Sequence, residues 1–360
     1  MAEAISTTRT VTPNQAKRSI RKCVKIQRPV FMWGPPGIGK SDIVKQLGDE
    51  QGREVIDVRL SLWEPTDIKG IPYYNSTSNT MTWAPPAELP TDPDSTAILF
   101  LDELNSAAPA TQAAAFQLVL NRRVGTYHLP KGVSIVAAGN RDGDKGVTYR
   151  MPAPLANRFV HVELKSDYED WQEWAVKNKV HEQVVGYVGF AKQDLYDFDP
   201  KSPSRAFATP RSWSFVSELL TDDDLDESTL TDLVAGAIGE GLAIKFMAHR
   251  RVAKQMPDPT AILKGTVTSC KIKEISAMYS LSISLCYELQ DAYDKKVKDW
   301  DAQADNFFAF IMDNFPTELT VMASKVALTT YKLPFDASKL KNFDRFHAKY
   351  GKYILIAMEG

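Results

Sequence analysis

Cysteine is scarce in this chain. The three residues, Cys23, Cys270 and Cys286, lack the paired spacing of a zinc site and the density of a disulfide scaffold, and a reducing cytosol suits them. The five histidines, His128, His161, His181, His249 and His347, are scattered without metal-ligand spacing, and no serine or cysteine nucleophile signature occurs. Each histidine is therefore expected to be structural or at the surface. No apolar run approaches the length of a bilayer span, and the opening MAEAISTTRT lacks a signal peptide's apolar stretch. The expectation is a cytoplasmic protein. A formal charge of −2 gives no general pull toward nucleic acid. The local exception, Arg9, Lys17, Arg18, Arg21, Lys22, Lys25 and Arg28, reads as a solvated helix face. At 44% hydrophobic and 24% charged residues, wholesale disorder is excluded, and 360 residues suffice for two or more domains with buried cores.

What the chain does have begins at Pro29, Val30, Phe31, Met32 and Trp33, an apolar run that leads into Gly34, Pro35, Pro36, Gly37, Ile38, Gly39, Lys40 and Ser41. A helical pattern follows. This is a complete Walker A loop in a strand–loop–helix setting. Its glycines let backbone N–H groups turn onto phosphates, and the helix presents its positive end to them. Lys40 reaches the β/γ oxygens and the Ser41 hydroxyl ligates Mg²⁺. The pattern predicts binding of ATP with Mg²⁺. A second apolar run, residues 97–101, ends in Asp102 and Glu103, a Walker B arrangement. Asp102 would hold the Mg²⁺ shell through water, and Glu103 would orient and polarise the water attacking the γ-phosphate. A further run ends in Ala137, Ala138, Gly139 and Asn140. The Asn140 amide could hydrogen-bond both the γ-phosphate and that water.

Short β-rich runs at residues 30–33, 55–60, 97–101, 133–138 and 159–164 alternate with helical patterns, which predicts a parallel sheet between helices. After Leu164 the stretches 170–191, 229–253, 272–298 and 306–331 read as helical. Residues 194–209 read as an exposed loop and 221–227 as an acidic turn. The expected organisation is an α/β nucleotide-binding core over residues 1–164, a helical lid over 165–255 and a C-terminal helical extension over 256–360, with Pro257 and Pro259 marking the last break. Residues 65–90 are too long for a simple connection and read as an insert.

Taken in order, the motifs at residues 33–41, 100–105, 135–140, 153–159 and 208–213 resemble those of the AAA+ ATPases, most closely the MoxR-type branch of bacteria and their phages. The resemblance covers about residues 13–255 and is diffuse beyond. It implies a P-loop AAA+ core, Asn140 as sensor 1, Arg158 as an arginine finger acting on a neighbouring subunit, and Arg211 as sensor 2 from the lid. Arg150 competes with Arg158 for the finger role, and a surface salt bridge is the plain alternative for Arg158. The resemblance also implies a homo-oligomeric, hexameric ring that remodels a protein client, chaperone-like, with a von Willebrand factor A domain protein as a partner class, in a bacterial cell or phage-infected host. Two rivals stand beside it: a nucleic-acid motor or loader, and a nucleotide-gated scaffold of low turnover. The insert would face the ring channel through Tyr73, Tyr74 and Trp83, or else form a hairpin packed on its own domain. A second hairpin at residues 122–130 could also line the channel. One position departs from the pattern: Ser106 stands where the branch usually has arginine.

Overall fold

In the computed structural model, which describes residues 9–359 except 142, 145, 147, 222–224 and 272, the chain divides into two units. Among the described residues, the first comprises those within 9–167 and 199–202, the second the others.

The first unit opens with a two-residue strand, β1 (Thr10–Val11), and α1 (Pro13–Lys25). The helix starts where it does because Thr12 and Gln15 cap each other and Pro13 occupies the first turn. Its basic residues form a helix face, where Lys17 and Arg21 both pair with Glu50. There follow β2 (Val30–Trp33), α2 (Lys40–Gln51), β3 (Val55–Arg59) and α3 (Pro65–Lys69), then the hairpin β4 (Ile71–Asn75) and β5 (Thr80–Ala84). Next come β6 (Ile98–Asp102), α4 (Pro109–Asn121), the short hairpin β7 (Arg123–Val124) and β8 (Tyr127–His128), β9 (Ser134–Gly139), α5 (Ala153–Ala156) and β10 (Val160–Leu164).

Six strands form one sheet in the order β1-β10-β2-β9-β6-β3, every pairing parallel. β6 and β9 are buried along their whole length, as a parallel sheet covered on both faces requires. Phe31, Leu99, Leu101 and Ile135 pack with Leu118 of α4 and Leu155 of α5. Their neighbours Met32, Phe100 and Val136 point to the other face and are equally buried. The fold class is the expected α/β layout, a parallel sheet between helices followed by a helical region.

The two hairpins are fastened together. Gly70 turns into β4 at φ 86°, where a Cβ would fall 1.7 Å from the Ala84 carbonyl oxygen, so no side chain fits. Thr126 Oγ1 donates to the Trp83 carbonyl at 3.0 Å, and Gly125 lies against the Trp83 ring. Trp83 thus belongs to this internal contact, whereas Tyr73, Tyr74 and Met81 are exposed.

The second unit is helical among the described residues: α6 (Tyr168–Lys177), α7 (Glu182–Phe190), α8 (Pro210–Leu219), α9 (Glu227–Ile238), α10 (Glu240–Ala253), α11 (Pro259–Leu263), α12 (Ile275–Asp294), α13 (Trp300–Asn314), α14 (Thr317–Lys325) and α15 (Lys341–Glu359), with a π turn at Val326–Thr330. Three long helical stretches of the sequence are each broken. Lys179 at φ 55° separates α6 from α7, Gly239 at φ 90° separates α9 from α10, and Pro316 separates α13 from α14. Glycines bring α7 onto α12, since a Cβ at Gly186 would lie 2.5 Å from Ser280 Oγ. One apolar cluster runs from Trp171 and Trp213 through Phe246 to Phe307 and Phe346, so the stretches read as lid and extension share a core. Pro259 begins α11, capped by Asp258. Residues 196–209 carry no helix or strand, and the acidic turn lies partly outside the described residues. No helix among the described residues is long and apolar enough to cross a membrane.

Candidate nucleotide site

β2, β6 and β9 run parallel, so their C-terminal ends lie along one edge of the sheet, where α/β folds place ligands. That edge collects the residues singled out in the sequence. Residues 34–39 link β2 to α2, with Gly37 and Gly39 left-handed at φ 73° and 95°. Gly34 N donates to Gly139 O at 3.3 Å, which joins the loop to the end of β9. Gly39 caps α2 with no side-chain hydrogen bond of its own, and the first turn of the helix places its positive end at the loop, where phosphate is favoured.

The Lys40 ammonium donates to Gly34 O at 2.6 Å, Pro35 O at 3.1 Å and Asn140 Oδ1 at 3.0 Å. These are neutral acceptors that phosphate oxygens can replace with stronger charge-assisted bonds. Ser41 Oγ donates to Asp102 Oδ2 at 3.0 Å, which sets a hydroxyl and a carboxylate side by side as hard oxygen ligands. The set fits a triphosphate with Mg²⁺: Ser41 and Asp102 would hold the ion, and Lys40 and residues 34–39 the phosphates.

Glu103 sits just beyond β6 with a left-handed backbone, φ 54°, a conformation costly for a non-glycine residue. Its N–H donates to Asp102 Oδ1 at 2.8 Å. Its carboxylate accepts a hydrogen bond from Ser61 Oγ and lies 3.9 Å from Arg59 Nε. Asp57, on the neighbouring strand β3, has its carboxyl raised above the usual range by desolvation and then by the Asp102 and Glu103 charges, against the pull of Arg59. The edge is thus rich in negative charge, the environment a divalent cation relieves.

Asn105 is fully buried and grips the backbone of Asn140 from both sides. Its Nδ2 donates to Asn140 O at 2.7 Å and its Oδ1 accepts from Asn140 N at 3.2 Å. Its own carbonyl accepts from Tyr149 N at 2.7 Å. Gly139 makes room for it, since a Cβ there would fall 2.1 Å from Asn105 Oδ1. Ser61, Arg59 and Asn105 were not marked as site residues by the sequence; only their positions after a strand and within the Walker B run hinted at them. Ser106 is half-buried, its N–H bonded to Glu103 O at 2.9 Å.

Arg158 stands elsewhere. It is exposed in the turn between α5 and β10. Val160 pairs with Val30 at the start of β2, whereas Glu163 pairs with Trp33 at its end. Arg158 therefore lies at the opposite edge of the sheet from Lys40, roughly 15–20 Å away at ~3.3 Å per residue. Its guanidinium cannot reach its own chain's loop. Arg150 is exposed in the segment before α5, and Arg211 is exposed in the first turn of α8, in the second unit.

These features define a P-loop α/β core with the residues of a nucleotide site gathered at one edge of its sheet. Residues 29–161 match the family described as ATPase family associated with various cellular activities (AAA). Among curated proteins, midasin of Giardia intestinalis is 27% identical over 186 residues, which cover 48% of this chain and 4% of midasin. The chain thus corresponds to a small part of that relative. Among solved structures, a Thermotoga maritima RuvB mutant is 16% identical with a TM-score of 0.36, covering 76% of this chain and 79% of that one. NtrX from Brucella abortus in complex with ADP is 14% identical with a TM-score of 0.40, covering 89% and 68%.

Proposed function

We propose that this chain is a Mg²⁺-dependent ATPase of MoxR type that assembles into a ring, hexameric by the resemblance, and uses hydrolysis to remodel a protein partner. The observation that carries the reading is the split of the site. Lys40, Ser41, Asp102, Glu103 and Asn140 stand at one sheet edge and Arg158 at the other, so a complete set requires a second copy. Mg²⁺, when bound, would screen the phosphate charge and polarise the γ-phosphoryl group. Lys40 exchanges its loop carbonyls for the β/γ oxygens. Glu103 exchanges Ser61 for the attacking water, orients it and draws its proton. Asn140 steadies the γ-phosphate from the Asn105-bound turn, and Arg158 of the adjacent copy stabilises the charge developing on the equatorial oxygens. Arg211 is assigned to sensing the bound nucleotide from the helical unit. The exposed tip of the β4–β5 hairpin, with Tyr73, Tyr74 and Met81, is an apolar surface of the kind that contacts protein, and a von Willebrand factor A domain protein is the partner class proposed.

Nucleotide binding and phosphate release by two variants test the hydrolytic reading. Lys40→Ala should lose most ATP affinity, because the cation over the β/γ oxygens is gone. Glu103→Gln should bind ATP at wild-type affinity and turn over at less than about one hundredth of the rate. Wild-type turnover by Glu103→Gln would contradict the assignment.

A further inference from the structure

Trp33 and His161 connect the two edges of the sheet. Trp33 ends β2 and directly precedes Gly34 at the nucleotide edge, while Arg158 precedes β10 at the other. An indole N–H can only donate, and Trp33 Nε1 donates to His161 Nδ1 at 2.9 Å. His161 Nδ1 therefore carries no proton, and the ring hydrogen lies on Nε2. That nitrogen donates to the Ala156 carbonyl at 2.8 Å. Ala156 closes α5 and stands two residues before Arg158. Its carbonyl also accepts from Phe159 N at 3.2 Å, and Arg158 N bonds the adjacent Leu155 O at 3.0 Å, so the imidazole is tied into the turn that carries Arg158. Phe31, Trp33 and Phe159 surround the imidazole at centroid distances of 6.0, 6.0 and 6.4 Å and limit its tilt.

The bonds are directional, fix one tautomer and lie at an exposed position, where a hydrogen bond contributes little to folding. What they hold is the segment presenting Arg158. A guanidinium that stabilises a transition state must be placed to within a fraction of an ångström by the residues behind it. We propose that His161 is a positioning residue for Arg158, and that Trp33 links it to the nucleotide loop, so that the state of one copy's loop sets the finger offered to the next copy. The proposal rests on the reading of Arg158 as a finger acting between copies.

The test is steady-state ATP turnover of the assembled full chain for His161→Ala, Trp33→Phe and His161→Gln, each alone and combined with Arg158→Ala. His161→Ala should lower kcat about tenfold with KM for ATP within about twofold, and should change nothing further once Arg158 is absent. Trp33→Phe keeps an aromatic ring beside His161, removes the donor together with the indole's second ring, and should act in the same direction. A glutamine amide offers both an acceptor and a donor, so His161→Gln should recover at least half of the rate. Equal losses from His161→Ala with and without Arg158, or wild-type turnover by His161→Ala, would overturn the positioning role while leaving the finger reading intact. Wild-type turnover by Arg158→Ala would overturn the finger reading and this proposal with it.

Discussion

Asn105→Ala should loosen the end of β9 and with it Asn140. Asn105 is fully buried, and its amide makes two hydrogen bonds, at 2.7 and 3.2 Å, to the N–H and C=O of one peptide unit pair at Asn140. Truncation leaves both backbone groups without those partners, at about 1–3 kcal/mol each when buried. Because Asn140 is only half-buried, water offsets part of the loss and the low end of that range applies, about 1–1.5 kcal/mol for each group and about 2–3 kcal/mol in all. The assay is hydrogen exchange of peptides covering residues 134–140, which reads local opening without requiring the two units to unfold together. At 1.4 kcal/mol per tenfold, exchange there should accelerate by about 30- to 150-fold. Turnover should fall by about tenfold as the Asn140 amide drifts from its place beside Lys40. Asn105→Asp keeps the acceptor for Asn140 N but sets an oxygen against Asn140 O, and should open the segment at least as much. Exchange within about twofold of wild type in both variants, with unchanged turnover, would refute the latch.

Two further outcomes follow from burial and exposure. His249 lies buried against Tyr187 with its Nε2 2.7 Å from Ser280 Oγ, and burial pulls its pKa from 6.5 down to about 4. The unfolded chain takes up a proton below 6.5 that the folded chain refuses until about 4. Stability of the helical unit should therefore be complete above 6.5 and fall by about 1.4 kcal/mol per pH unit beneath it, about 2 kcal/mol by pH 5. Urea titrations at pH 7 and pH 5 should show the fall, and His249→Gln should flatten most of it; an unchanged slope in that variant would place the titration elsewhere. Tyr73 and Tyr74 are 47% and 66% exposed. Changing both to alanine should cost less than about 0.5 kcal/mol in thermal unfolding and leave basal turnover within about twofold, while partner-stimulated turnover falls tenfold or more. A drop of several degrees in Tm together with basal activity would mean that the pair is packed, not presented.

The sheet was legible because its strands are short apolar runs closed by the residues proposed to do the chemistry. Lys40, Ser41, Asp102 and Asn140 meet where those runs end. β1 was not, since two residues pairing with β10 carry no periodicity of their own. The helical breaks at Lys179 and Gly239 depend on positive φ, which a lysine does not advertise. The union of lid and extension rests on contacts such as Gly186 against Ser280, separated by 94 positions and invisible to any local pattern. Asn105 looked like part of the Walker B run, and only its two bonds to Asn140 show what it holds. His161, expected to be structural or at the surface, is at the surface, yet its two ring nitrogens are both engaged. Trp83 was read beside Tyr73 and Tyr74, but it faces the second hairpin instead.

On the proposed reading each catalytic site is completed by a second copy of the chain. ATP turnover in mixtures of Arg158→Ala and Lys40→Ala subunits tests it most directly. Each variant alone should be inactive, the first for want of the finger and the second for want of bound nucleotide. Mixed assemblies should recover activity at interfaces where an intact Lys40 site meets an intact Arg158. No recovery in verified mixed assemblies, or full turnover by wild-type chain held as a monomer, would contradict the account.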